Sequence, residues 1–227
     1  MAMSALARRA LASVVRFIIF LAALLLMAAW TFAYWQLWVF LAVLSAGLFA
    51  ITFYLIRHDP VLLERRMLAG PKAEKHKPQK IILGLAGALF FVFSLFPGID
   101  HRFGWSNVPT AVVVLGDAAL AVAMLICFFV FRENSFASAT VEIHPEQKVI
   151  STGLYGVVRH PMYMGALLFV VGLPLALGSW WGLAFVPAIA ALLAWRLIDE
   201  ERLLVDSLAG YSDYRSRVRY RLVPLVW

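Results

Sequence analysis

At 227 residues, with a net charge of +7, 63% hydrophobic and only 15% charged residues and a mean hydropathy of +0.84, the chain lies outside the range of a soluble globular domain and reads as an integral membrane protein. Residues 1–227 are read as one transmembrane domain, because no internal repeat or low-complexity tract divides them. The lone Cys127 sits in an apolar run, which excludes disulfides and a cysteine-based metal site, and no metal is expected.

A hydrocarbon core of about 30 Å needs roughly 20 helical residues. Leu11 to Ala33 and Leu37 to Ile56 meet that length directly. The first is followed almost at once by the second and lacks a cleavage region, so it reads as a retained helix. Ile81 to Phe96 makes a shorter third crossing, in which Gly84 and Gly87 predict close packing on a neighbour and Pro97 an abrupt end. Val112 to Phe131 is the fourth. The run from Pro161 to Trp195 is too long for one helix and is divided near Gly178-Ser179 into two antiparallel helices. The fold class is therefore all-α, with about six transmembrane helices ending in a helical hairpin.

Basic residues test this count, since cytoplasmic loops collect Lys and Arg. Arg8 and Arg9, the cluster from Arg57 through Arg65, Arg66, Lys72, Lys75 and Lys77 to Lys80, then Arg132, Lys148 and Arg159, and finally Arg202 to Arg221 all fall on one side if the helices number six. Only Arg102, near the interfacial Trp105, lies opposite. Both termini are expected in the cytoplasm, which for a bacterial chain means a multi-pass inner-membrane protein. Topology and anionic headgroups account for the positive charge, so membrane lipids are expected partners and nucleic acid is not.

Two polar clusters stand out from this apolar background. The first is Gly153-Leu-Tyr-Gly-Val-Val-Arg-His-Pro-Met-Tyr-Met-Gly165 at the mouth of the hairpin. Pro161 suits the first turn of a helix, so Arg159 and His160 fall at its N-terminus, where amide donors and the helix dipole favour an anion such as a carboxylate. Gly165 leaves room for a neighbouring helix or a flat ligand. The same residues serve equally as a topology charge, a cap and interfacial aromatics. The second cluster is Arg196-Leu-Ile-Asp-Glu-Glu-Arg202, where Arg196 and Glu200 share a helix face and Glu201 points about 100° away toward another partner. By itself it reads as a helix end with its own salt bridge. Both clusters should emerge at one membrane face, where they could line one pocket.

These stretches, with the ending Gly210-Tyr-x-x-Tyr214-x-x-x-Val218-x-Tyr-Arg-Leu-x-Pro224, resemble the isoprenylcysteine carboxyl methyltransferases and the related phospholipid N-methyltransferases. The likeness covers roughly the last ninety residues, within a C-terminal methyltransferase-like region of 111–227, and residues 1–110 resemble the family only as apolar helices. The resemblance implies an S-adenosylmethionine-dependent methyltransferase with a cytoplasm-facing cofactor pocket and no Rossmann domain. It implies that Gly153, Tyr155, His160, Pro161, Tyr163 and Gly165, with Glu200 and Glu201, build the cofactor site. Arg196, helped by Arg159, would orient an acidic acceptor, Glu200 or Glu201 would hydrogen-bond the amino acid or ribose end of the cofactor, and Tyr211 and Tyr214 would pack beside the pocket. The implied acceptor is a lipophilic or prenylated molecule methylated at a carboxylate. A phospholipid amine is the alternative, for which His160 or a glutamate would take the proton. A membrane sterol reductase using NADPH and a non-catalytic membrane protein are the readings from other classes. Asn134 and His144 are weak pocket candidates, Asp117 reads as an interhelical hydrogen-bonding group, and Arg16 as a snorkelling side chain.

Overall fold

A computed structural model of the chain describes residues 4–68, 77–140 and 146–227, with the backbone alone at Lys77. Lys72, Lys75 and His144 lie outside the described residues. The elements in chain order are α1 (Ala5–Ala29), α2 (Trp35–His58), α3 (Pro60–Met67), α4 (Lys77–Phe103), α5 (Thr110–Glu133), α6 (Pro161–Ala176), α7 (Val186–Ser207) and α8 (Tyr211–Arg217), with short 3-10 turns at Gly153–Gly156 and Trp181–Phe185. No strand forms among the described residues. Local chemistry sets several boundaries: Ser4 Oγ accepts the Ala7 amide to start α1, and Asp59 Oδ1 accepts the Leu62 amide ahead of Pro60 to start α3.

Five helical segments are long and apolar enough to cross a membrane: Ala5–Ala29, Trp35–His58, Pro78–Phe103, Thr110–Glu133 and Trp181–Ser207. The protein is a multi-pass, all-α integral membrane protein. The sixth expected crossing, α6, is apolar but has 16 residues, a rise of about 24 Å. The hairpin break near Gly178 is present, with Gly178 at φ +70° and Ser179 in the turn.

The third crossing departs from expectation. Pro97 does not end it, because α4 runs on to Phe103 with the proline inside. Gly84 and Gly87 face no neighbour, as a Cβ on either would meet nothing within 4 Å. The close approach of α4 falls instead at Gly98, where a Cβ would lie 2.7 Å from Ala28 Cβ on α1. Glycine at an apolar helix position permits close packing, but only the helix's tertiary rotation decides which glycine meets a partner.

The tightest pair is α5 with antiparallel α6. A Cβ on Gly116 would fall onto the backbone of Leu175 and Ala176, one on Gly172 within 3.0 Å of Gly116 O, and one on Gly165 within 3.3 Å of Ala123 O and 3.1 Å of Ile126. In lipid there is no hydrophobic drive between helices, so such backbone contact supplies the association. Gly116→Leu is therefore expected to unseat α6 and sharply lower the yield of monodisperse protein in detergent, whereas Gly87→Leu leaves it unchanged. Gel filtration of the two variants checks this.

One apolar core, including Leu25, Phe40, Phe93, Leu120, Leu173 and Ile189, draws on α1, α2, α4, α5, α6 and α7. Ala10, Leu55, Leu62 and Val130 pack together with Tyr155 and Met162, which gathers the start of α1, the ends of α2 and α5 and the start of α6 at one end of the bundle. At the other end, Tyr34 OH donates to Leu177 O at 2.6 Å, and Asp100 accepts from Ser106 and Ser179. These bonds pin the hairpin turn and so fix where α6 and α7 deliver their polar residues.

Candidate functional site

The α6 start, the inner half of α7 and the tail after α8 converge at the bundle end that holds Tyr155 and Met162. The approach to α6 is a 3-10 turn that needs glycine at its first position. Gly153 has φ +54°, and a Cβ there would meet the Glu133 carboxylate at 3.0 Å. Thr152 Oγ1 donates to Glu133 Oε2 at 2.8 Å, tying the turn to the end of α5. Tyr155 then points inward, its hydroxyl accepting from Asn134 Nδ2 at 3.0 Å and its carbonyl from Tyr214 OH at 2.7 Å.

A buried clamp follows. Arg159 and Glu201 have side chains only 6% and 5% exposed. Arg159 Nε donates to Glu201 Oε1 at 2.6 Å, and its Nη1 donates to the carbonyls of Val218 at 2.8 Å and Arg219 at 3.0 Å. Arg221 Nε donates to Glu201 Oε2 at 2.8 Å. Two backbone bonds of 2.9 Å reinforce it, from Arg159 N to Tyr220 O and from His160 N to Arg221 O. Glu201 is thus sandwiched by two guanidinium groups, and the tail is stitched to the start of α6.

A second network runs across the mouth. Arg196 Nε donates to Tyr163 OH at 3.0 Å, its Nη1 to Gln79 Oε1 at 2.9 Å and its Nη2 to Ala139 O at 3.1 Å. Tyr163 OH donates in turn to Glu200, and Gln79 Nε2 to Asp199 Oδ2 at 2.6 Å. Gln79 is completely buried. Its orientation is fixed, since exchanging its oxygen and nitrogen would set amide against guanidinium and oxygen against carboxylate. Gln79 is absent from the sequence reading, which began the third helix at Ile81. The available signal was one uncharged polar side chain between Pro78 and Lys80 at the start of an apolar run.

Between these networks lies a cleft that is partly open to solvent and lined by both polar and apolar side chains, the mixed lining typical of small-molecule sites. Asn134, Tyr155, Arg159, His160, Pro161, Tyr163, Arg196 and Glu200 all line it. Gly153 and Gly165 do not: the first makes the turn, and the second packs on α5. Glu201 stands behind the wall, holding the two arginines. Asp117 lies outside the cleft on α5, its two oxygens buried and without a partner among the described residues. Those residues hold no group of three His, Cys, Asp or Glu side chains suited to a metal.

His160 caps α6 with its ring edge-on to Tyr163, the centroids 5.8 Å apart. Its Nε2 is buried and has no hydrogen-bond partner among the described residues. Burial pushes its pKa down, opposed by Glu200 and Glu201 and reinforced by Arg159 and Arg221. The imidazole is therefore neutral at pH 7. Because the unfolded chain binds a proton that the folded site disfavours, this histidine costs no stability well above the ordinary histidine pKa of about 6.5, and stability is lost as pH falls through and below it. The unfolding temperature should drop between about pH 7.5 and about pH 5.5, and by less in His160→Asn, which cannot titrate there.

Comparison with known proteins places this geometry in context. Residues 111–209 match the phospholipid methyltransferase family. The chain is similar to Delta(14)-sterol reductase of Mus musculus, 28% identical over 132 residues that make up 48% of this chain and 32% of that protein. It is also similar to protein-S-isoprenylcysteine O-methyltransferase B of Arabidopsis thaliana, 28% identical over 127 residues that make up 54% of this chain and 61% of that protein. The matched stretches thus span a third to three fifths of those relatives' length. The resemblance to membrane methyltransferases carried by residues 152–165 and 196–203 is borne out; the tail from Gly210 lies beyond the matched family segment.

Proposed function

We infer that this chain, whose residues 111–209 match the phospholipid methyltransferase family, is an integral membrane methyltransferase that uses S-adenosylmethionine and acts on a lipid-like or prenylated acceptor, with a carboxylate as the favoured nucleophile. The observation that carries this is the convergence of both polar clusters on one cleft in which His160 Nε2 is buried without a partner. A buried unpaired nitrogen costs about 1–3 kcal/mol unless a ligand satisfies it. The cleft wall suits the cofactor chemically. Tyr155 and Tyr163 offer aromatic surface, Leu203 and Leu204 apolar surface, and Glu200 an acceptor for hydroxyl or ammonium groups.

When bound, S-adenosylmethionine supplies a methyl already activated by its sulfonium sulfur. The protein's own contribution is alignment and exclusion of water. Arg196 orients an anionic acceptor at the mouth, and Tyr211 and Tyr214 of α8 wall the cleft beside the Arg159–Glu201–Arg221 clamp. A carboxylate needs no base, whereas an amine would hand its proton to neutral His160. The concentration of basic residues at this end of the bundle supports a cytoplasmic site with both termini on that side.

Calorimetric titration of the detergent-solubilised protein with S-adenosylhomocysteine tests the reading without knowledge of the acceptor. One-site binding that weakens about tenfold or more in His160→Ala supports it. Binding of NADPH in place of S-adenosylhomocysteine would replace it with the reductase reading that the sterol reductase relative suggests.

A further inference from the structure

We propose that the Tyr211 hydroxyl is a ligand-binding group of this cleft, donating a hydrogen bond to a neutral acceptor atom of the bound cofactor, so that the site extends into α8 beyond the matched family segment. The proposal rests on the methyltransferase reading above and adds a residue to it.

Tyr211 is the first residue of α8, set there by Gly210 at φ +79°. Its ring packs with Leu208, Tyr214 and Val218 and is only 4% exposed. A phenylalanine would fill that cluster as well, yet the chain carries a hydroxyl there. The hydroxyl oxygen is buried and has no hydrogen-bond partner among the described residues. Buried hydroxyls are nearly always paired, so an unpaired one calls for an explanation.

Tyr214 supplies the contrast. It sits on the same short helix, its ring centroid 5.6 Å from that of Tyr211, and both rings line the cleft. Its hydroxyl donates to Tyr155 O at 2.7 Å and so ties α8 to the 3-10 turn. One tyrosine closes the structure and the other is left with a free donor. Among the described residues lining the cleft, only His160 and Tyr211 carry a buried side-chain polar atom without a partner. Burial holds the Tyr211 phenol well above its usual pKa, with Glu201 and Glu200 adding to the shift, so it stays a donor. Arg159 opposes the shift, and a neutral phenol donor pairs with a neutral acceptor such as a ring nitrogen or ribose oxygen.

The test compares the full-length wild-type protein with Tyr211→Phe and Tyr214→Phe in detergent, measuring ligand-free unfolding temperature and calorimetric affinity for S-adenosylhomocysteine. Tyr211→Phe should weaken binding about tenfold while leaving the ligand-free unfolding temperature unchanged or raised. Tyr214→Phe should lower that temperature. Wild-type affinity in Tyr211→Phe overturns the proposal, as does a loss of ligand-free stability matching that of Tyr214→Phe, which would reveal a structural partner. A wild-type protein that binds no S-adenosylhomocysteine overturns the methyltransferase reading and this proposal with it.

Discussion

Glu201→Gln is expected to lose about 3 kcal/mol of stability, the largest effect of any isosteric change in the site. The substitution keeps shape and removes the one negative charge between Arg159 and Arg221. Arg159 is 6% exposed at its side chain, and water cannot replace the lost carboxylate. The glutamine amide oxygen could still accept from one guanidinium, but the charge that compensates both would be gone and Arg159 would be left with neutral partners, Val218 O and Arg219 O among them. Breaking a buried pair by deleting one charge is costly because the survivor stays desolvated. The tail should loosen first, since Arg221 loses its carboxylate and the attachment to α6 is left to neutral hydrogen bonds and the packing of Leu222 against Tyr163 and Leu197. Thermal unfolding in detergent, with limited proteolysis after Arg217 or Arg219 as a probe of the tail, measures both consequences. If Glu201→Gln unfolds like wild type and loses only S-adenosylhomocysteine affinity, Glu201 is a cofactor ligand, as the family pattern implies, and the clamp carries little stability.

This clamp shows where a sequence stops being informative. Helical spacing places Glu201 off the face shared by Arg196 and Glu200 and calls for a separate partner, which is correct as far as it goes. The partner is a pair of arginines, one 42 positions earlier and one 20 positions later, and no local pattern links them. The same division runs through the fold. The hairpin break at Gly178, the helix start at Pro161 and the apolar spans follow from local rules of backbone freedom and length. The behaviour of Gly84, Gly87 and Pro97 does not, because packing on a neighbour depends on how α4 is rotated against α1. The glycine at the tight approach is Gly98, which the Pro97 breaker rule had placed outside the helix. Gln79 was hidden for a related reason: a side chain at a helix start reads as solvated until α7 is known to cover it.

Arg196→Ala is expected to lower kcat/KM at least about 100-fold while leaving S-adenosylhomocysteine affinity within about threefold of wild type. The two cleft arginines differ in what compensates them. Arg159 is neutralised by Glu201, whereas Arg196 meets three neutral oxygens, on Gln79, Ala139 and Tyr163, and no carboxylate among the described residues. A positioned cation without a counter-ion attracts an anionic acceptor and is worth most where water is excluded. Its fork is held through Gln79, which is held by Asp199, so the guanidinium is aimed before any acceptor arrives and little ordering remains for binding to cost. Arg196→Lys should recover only part of the rate, since a single ammonium cannot contact the same oxygens while presenting a planar fork. Initial rates with an N-acetyl-S-farnesylcysteine carboxylate as probe, beside a phosphatidylethanolamine vesicle, separate the two acceptor chemistries. Transfer to the carboxylate that collapses in Arg196→Ala supports O-methylation oriented by Arg196. Transfer to the amine that survives the substitution would remove Arg196 from acceptor binding, leave it the role of holding Tyr163 against Glu200, and pass proton acceptance to His160.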